Sequence, residues 1–277
     1  MSIAMVFPGQ GSQSQGMQAD LAAEYPFVKE IYSEASETLG YDLWQLVQEG
    51  PADKLAETVI TQPAMLTAGY AAWRAWLEAG GNQPAQMAGH SLGEYTALVC
   101  ANAIDFGEAV RVVKRRSELM QAAVPVGIGA MAAVIGLDDD AVLALCDEAS
   151  GIGVAEAVNF NMPGQVVIAG HKDAVKHAVA RAEEAGARRA IILPVSVPSH
   201  SSLMIPAGEA LAEALATVDF RTPDVTVINA TDATPYTSAD DMRQRLASQV
   251  YRPVHWVDTI KAMLTAGATS VIECGPG

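Results

Sequence analysis

A chain of 277 residues, half of them hydrophobic, is long enough for one large domain or for a large domain carrying a smaller insertion. Its net charge of −15 argues against nucleic acid and anionic membrane surfaces as general partners. No apolar run approaches the roughly 20 residues that cross a bilayer. The opening Met1-Ser2-Ile3-Ala4-Met5 lacks the basic start and long apolar stretch of a signal peptide. Cys100, Cys146 and Cys274 are far apart and read as buried thiols, so a cytoplasmic protein is expected. The five histidines, His90, His171, His177, His200 and His255, form no metal-ligand spacing, and His171 and His177 sit beside Lys172 and Lys176 on what reads as a solvated face.

In chain order, Ala4-Met5-Val6-Phe7 reads as a buried first strand running into the glycine-containing loop Pro8-Gly9-Gln10-Gly11-Ser12-Gln13. That loop lacks the Lys-Ser/Thr ending of a phosphate-binding loop. Helices are expected at Met17 to Glu24, Pro26 to Leu39, Leu43 to Glu49 and Ile60 to Leu77. Gln86-Met87-Ala88 reads as a strand, Glu94 to Ala101 as a helix, and Asp105 to Ala123 as a strongly amphipathic helix. Val124-Pro125-Val126-Gly127 breaks the pattern. The next segment reads strand (Ala130 to Ile135), helix (Asp138 to Ala149), two strands (Val154 to Asn159, Gln165 to Ala169), helix (Lys172 to Ala185) and strand (Arg189 to Leu193).

That order, β-α-β-β-α-β, is the split βαβ or ferredoxin-like unit, and it places a small subdomain at residues 127–194. Leu203 to Thr217, Met242 to Val250 and Trp256 to Ala266 read as further helices, with strands at Val225 to Ile228 and Thr269 to Glu273. Residues 1–126 and 195–277 then form the large domain of an α/β fold, its sheet mainly parallel with helices on both faces. A strand of such a sheet is normally followed by a covering helix, so a further segment is expected beyond residue 277.

Chemistry centres on Gly89-His90-Ser91-Leu92-Gly93-Glu94-Tyr95. A serine between two glycines at a strand-to-helix turn is the nucleophile-elbow pattern, with the Leu92 N–H aimed from the helix start toward a bound carbonyl oxygen. The same five residues also suit an ordinary tight turn. On the wheel of the 105–123 helix, Arg111, Lys114, Arg115 and Glu118 share a polar side, whereas Arg116 shares the apolar stripe of Ala109, Val113, Met120 and Ala123. A guanidinium there needs an anion, either an internal Asp or Glu or the carboxylate of a ligand. His200, between an apolar strand and a helix start, is placed to act as a base or to cap the helix. His90 reads as packing beneath the turn. No strand-end acid precedes His200; a backbone carbonyl or an amide such as Gln249 could orient its ring, although Gln249 alone reads as a surface residue.

The chain resembles the malonyl-CoA:acyl carrier protein transacylases of fatty acid synthesis over essentially its whole length. The residues that carry the likeness are Phe7-Pro8-Gly9-Gln10-Gly11-Ser12-Gln13, the Ser91 turn, and Arg116 with Leu119-Met120-Gln121. Asn161-x-Pro163-Gly164-Gln165, Val197-Pro198-Ser199-His200, Gln249-Val250-Tyr251-x-Pro253-Val254 and Glu273-Cys274-Gly275-Pro276-Gly277 extend it. The resemblance implies a hydrolase-like core with a ferredoxin-like insertion, and Ser91 as nucleophile with His200 as its base. It implies Arg116 as the holder of the malonyl carboxylate and the Gln10 and Leu92 N–H groups as the oxyanion hole. The Gln249 carbonyl would steady the histidine. It further implies malonyl-CoA as substrate with no cofactor, acyl carrier protein as partner and a monomer. Lys114, Arg115, Arg188 and Arg189 are candidate docking cations for the acidic carrier. The rivals are a polyketide-type acyltransferase, a serine esterase or thioesterase on the same elbow, and a binding module without turnover.

Overall fold

The computed structural model describes residues 2–195 and 197–276. Strand β1 (Ile3–Phe7) leads into helices α1 (Ala19–Glu24), α2 (Phe27–Leu39), α3 (Leu43–Glu49), α4 (Ala52–Leu55) and α5 (Thr58–Glu78). Strand β2 (Gln86–Gly89) precedes α6 (Gly93–Cys100) and α7 (Phe106–Ala123). The middle of the chain runs β3 (Gly129–Ile135), α8 (Asp139–Ala149), β4 (Ala155–Met162), β5 (Gln165–His171), α9 (Lys172–Glu184) and β6 (Arg189–Ile192). A 3₁₀ turn at Ser202–Met204 opens α10 (Ile205–Leu215); β7 (Thr226–Asn229), β8 (Thr234–Pro235), α11 (Ala239–Gln249), α12 (Trp256–Thr265) and β9 (Ser270–Glu273) follow.

The fold is α/β, with a main sheet that is mostly parallel. Its order is β8-β7-β2-β1-β9; β9, β1, β2 and β7 run parallel and β8 turns back against β7. Side chains of successive strand residues leave on opposite faces. Met5, Phe7, Met87 and Val227 therefore join the large core with α5, α6 and α7, while Ala4, Val6, Ala88 and Ile228 pack with Met263 and Ala268 on the other face. Helix α7 begins where Asp105 accepts bonds from the N–H groups of Gly107 and Glu108, a side-chain cap for donors that the first turn leaves free.

The second sheet is antiparallel, in the order β4-β5-β3-β6. Ala132, Val134, Val166 and Ile168 pack against Val142, Leu145, Val175 and Ala178 of α8 and α9. The alternate residues Met131, Ala133 and Val167 face the other way and line the cleft between the sheets. Two hydrogen bonds tie β4 to the segment before α12: Phe160 N–H donates to Val254 O at 2.9 Å and Val254 N–H to Val158 O at 2.8 Å. Each expected helix and strand is present within a few residues. Two short elements were not anticipated: α4, whose four residues are too few to show a period, and β8, a two-residue hairpin partner.

The strand-to-helix turn after β2 works only if the chain approaches itself closely. A Cβ on Gly93 would stand 2.2 Å from the Phe7 carbonyl oxygen, and one on Gly89 would stand 1.8 Å from the Gly93 carbonyl carbon. Gly93→Ala is expected to cost about 1–3 kcal/mol of stability, and more if β1 cannot shift. Gly151→Ala, where an added Cβ meets nothing within 4 Å, should stay within about 0.5 kcal/mol of the parent. Urea unfolding of the two variants checks both.

Candidate active site

Ser91 sits on that turn with φ at +52°, a left-handed conformation that a non-glycine residue adopts only where its surroundings enforce it. His200, 3 % exposed, is also left-handed, with φ at +68°. Both members of the pair are thus held in uncommon backbone geometry. The His200 Nε2 lies 2.8 Å from Ser91 Oγ. Its Nδ1 lies 2.8 Å from the Gln249 carbonyl and 3.1 Å from the Arg252 carbonyl. A carbonyl only accepts, so Nδ1 carries the proton and Nε2 presents its lone pair to the hydroxyl. Two backbone carbonyls thus occupy the place that an acid takes beside the histidine of a Ser-His-Asp triad.

Arg116 is 1 % exposed, on the same stripe as Ala109, Val113 and Met120, all of them buried. Nη1 donates to Gln62 Oε1 at 2.6 Å; Nη2 donates to Gln249 Oε1 at 3.0 Å and to Ser91 Oγ at 3.2 Å. The guanidinium also lies over the Tyr95 ring, 5.7 Å from its centroid. No carboxylate among the described residues pairs with it within 4.0 Å, and its buried Nε has no hydrogen-bond partner among them. Burial pushes its pKa down, as expected of a cation held by neutral amides. Of the two anions the wheel left open, an internal acid is thus not in contact.

Gln249 corrects the surface reading: it is fully buried. Its Nε2 donates to the Ser91 carbonyl at 3.0 Å and to Glu94 Oε2 at 2.7 Å. Glu94, fully buried at the start of α6, also accepts from Asn229 Nδ2 at 2.6 Å, from the Ala230 N–H at 3.4 Å and from the Tyr236 hydroxyl. Burial raises its pKa to about 7 against the pull of those four donors. Sequence reasoning passed over Gln62, Glu94 and Asn229. The available signal was a polar side chain in an apolar helix: Gln62 in α5, Glu94 in α6.

These groups open onto a cleft of about 270 Å³ lined by Ser91, His200, Arg116, Gln10 and Leu92 and by Met131 and Val167 of the second sheet. The backbone N–H groups of Gln10 and Leu92 donate no hydrogen bond among the described residues. His90 does more than pack: its Nε2 lies 2.8 Å from Asn161 Oδ1, joining the elbow to β4. His171 and His177 are half-buried rather than solvated; the Val154 N–H donates to His171 Nδ1 at 3.0 Å, and His177 lies 3.4 Å from Glu148. Lys114, Arg115, Arg188 and Arg189 do not line the cleft. The groove that continues from it past Thr58, Leu193 and Val195 carries Lys172 and Lys176 instead. The three cysteines are free and buried, and no group of three or more metal-ligating side chains occurs among the described residues. No helix among them is long and apolar enough to cross a membrane.

Burial and the neighbouring Arg116 lower the His200 pKa to about 3, so its ring is neutral at neutral pH. Between pH 6.5 and 3 the unfolded chain binds a proton there and the folded chain does not. Stability from this group is complete above pH 6.5 and lost as pH falls toward 3. Glu94 acts oppositely, lowering stability as pH rises from 4.5 to 7. His200→Asn is expected to flatten the acid limb of the stability profile by up to about 1.4 kcal/mol per pH unit. Urea unfolding across pH 3.5–7 checks it; an unchanged slope would mean that His200 is charged in the folded state.

Residues 4–276 match the family model described as acyl transferase domain. The malonyl CoA-acyl carrier protein transacylase of Escherichia coli K12 is 55 % identical over 274 residues, which cover 99 % of this chain and 89 % of that one. The structure of the corresponding transacylase from Coxiella burnetii superposes with a TM-score of 0.98 at 48 % identity, covering 100 % of this chain and 88 % of that one. A malonyl-transacylase solved with a type II PKS acyl-carrier protein superposes with a TM-score of 0.98 at 50 % identity, covering 100 % and 90 % of the two chains. The chain therefore belongs to the acyl transferase family, among the malonyl CoA-acyl carrier protein transacylases.

Proposed function

We propose that this protein transfers the malonyl group of malonyl-CoA to the phosphopantetheine thiol of acyl carrier protein through a malonyl ester on Ser91. The observation that carries the reading is Arg116: a buried guanidinium 3.2 Å from the serine hydroxyl, with no carboxylate among the described residues in contact. A thioester whose acyl group ends in a carboxylate supplies the missing anion, and that carboxylate takes over the bond now made to Ser91 Oγ.

His200 Nε2 accepts the Ser91 proton as Oγ attacks the thioester carbonyl. The carbonyl oxygen becomes an oxyanion against the Gln10 and Leu92 N–H groups. Collapse breaks the C–S bond, and the imidazolium returns its proton to the departing coenzyme A thiolate. The carrier thiol then gives its proton to His200 and attacks the ester, and the imidazolium returns that proton to Ser91 Oγ as the ester C–O bond breaks. No cofactor is required. A monomer is the expected state.

Residues 1–126 and 195–277 make a hydrolase-like large domain and residues 127–194 a ferredoxin-like small one. The separate apolar clusters and the strand order β4-β5-β3-β6 support that division. A simple esterase gives no purpose to a dry, unpaired guanidinium at the nucleophile, which disfavours the hydrolase reading.

Arg116→Ala is expected to lower malonyl transfer by roughly 100-fold or more while acetyl transfer is kept or rises. Steady-state transfer from malonyl-CoA and acetyl-CoA measures both; an unaltered preference would refute the carboxylate role. Ser91→Ala is expected to abolish the malonyl adduct that intact-protein mass spectrometry finds on the parent. An adduct persisting on the variant would exclude Ser91. A panel of purified fatty-acid and polyketide carrier proteins identifies the acceptor.

A further inference from the structure

Gln249 touches both halves of the site at once. Its backbone carbonyl holds His200 Nδ1 at 2.8 Å, and its side-chain oxygen holds Arg116 Nη2 at 3.0 Å. Which way the amide points is therefore consequential. Oε1 faces Arg116, a donor; Nε2 faces the Ser91 carbonyl and Glu94 Oε2, both acceptors. Flipping the amide would turn its NH₂ toward the guanidinium and its oxygen toward two oxygens. Glu94 sets this choice. Its Oε1 receives Asn229 Nδ2 and the Tyr236 hydroxyl, and its Oε2 receives Gln249 Nε2 and the Ala230 N–H. Every partner donates, so the ring of donors favours the accepting carboxylate against the burial that raises its pKa to about 7.

We propose that Glu94 is a positioning residue for acyl-group selection: through the Gln249 amide it fixes Arg116 in the orientation that receives the substrate carboxylate. This rests on the carboxylate role assigned to Arg116. Glu94 sits behind Gln249, touches no reacting atom, and lies too deep to meet substrate. Only the neutral Gln249 amide stands between Glu94 and Arg116, so the guanidinium keeps its charge and its face toward Ser91 stays open to an incoming anion. A direct Glu–Arg pair would stabilise the cation equally well and would close that face.

The test is Glu94→Gln, which keeps shape and volume but brings an NH₂ into a ring of donors. The malonyl-to-acetyl ratio of kcat/KM is expected to fall about tenfold, from the loss of one buried hydrogen bond's worth of order at Arg116. Labelling of Ser91 by a neutral fluorophosphonate, which needs the Ser91–His200 pair and no carboxylate clamp, should stay within about twofold of the parent. In an Arg116→Ala background, Glu94→Gln should leave the ratio where Arg116→Ala alone puts it. Gln249→Met, which keeps the carbonyl that holds His200 and removes the amide, should reproduce the fall in ratio and decides the matter if Glu94→Gln does not fold.

A parental ratio in folded Glu94→Gln overturns the proposal, as does a parental ratio in Gln249→Met where Glu94→Gln does not fold. So does a Glu94→Gln variant that loses labelling and both transfers together, since that is the behaviour of a structural residue. If Arg116→Ala itself keeps the parental ratio, the carboxylate role has failed; if Arg116→Ala loses it and Glu94→Gln does not, only the role of Glu94 has failed.

Discussion

A buried arginine with no acid in contact among the described residues governs the site. Taking a guanidinium out of water costs several kcal/mol unless its donors find acceptors. Here the acceptors are two glutamine oxygens and a serine hydroxyl, all neutral. Neutral acceptors satisfy geometry without cancelling charge, so the site keeps an appetite for an anion beside its nucleophile. The same charge helps keep the neighbouring histidine unprotonated, the form that takes a proton from serine. In the proposed reaction, selection of the acyl group and readiness of the base thus have a common electrostatic source.

The fold supplies what that arrangement needs. The elbow, α7 and the end of α11 converge at the carboxyl end of the main sheet, where open α/β sheets leave a crevice. The second sheet covers it with one face of alternating residues, and β4 is anchored both to the segment before α12 and, through Asn161, to His90. The proposed acyl site consequently lies in a cleft between two separately packed cores. Both reactive residues are held in left-handed backbone geometry, and the cores on either side offset that local strain.

Much of this was legible in the sequence because it is written in local pattern. Strand and helix periods placed the sheets, and two glycines around Ser91 announced a close turn. The helical wheel alone put Arg116 in the core. The family likeness then supplied the roles of His200 and of the Gln249 carbonyl. What escaped was long-range and polar. Nothing local distinguishes Gln249 from an exposed glutamine at a helix end, because its partners Ser91, Glu94 and Arg116 lie more than 130 residues away. Gln62 and Glu94 were visible as residues but not as ligands of the site, since a wheel reports which side is dry and not what waits there. The candidate docking cations show the same limit of sequence: charge clusters are legible along the chain, but their direction relative to the cleft is not.

The most direct measurement is a crystal structure of the chain soaked with malonyl-CoA in the absence of acceptor, trapping the acyl-enzyme. Malonyl is expected on Ser91 Oγ with its free carboxylate on the Arg116 guanidinium at hydrogen-bond distance, and the ester carbonyl oxygen against the Gln10 and Leu92 N–H groups. An acyl-enzyme whose carboxylate lies in solvent, with Arg116 still bonded only to Gln62 and Gln249, would contradict it.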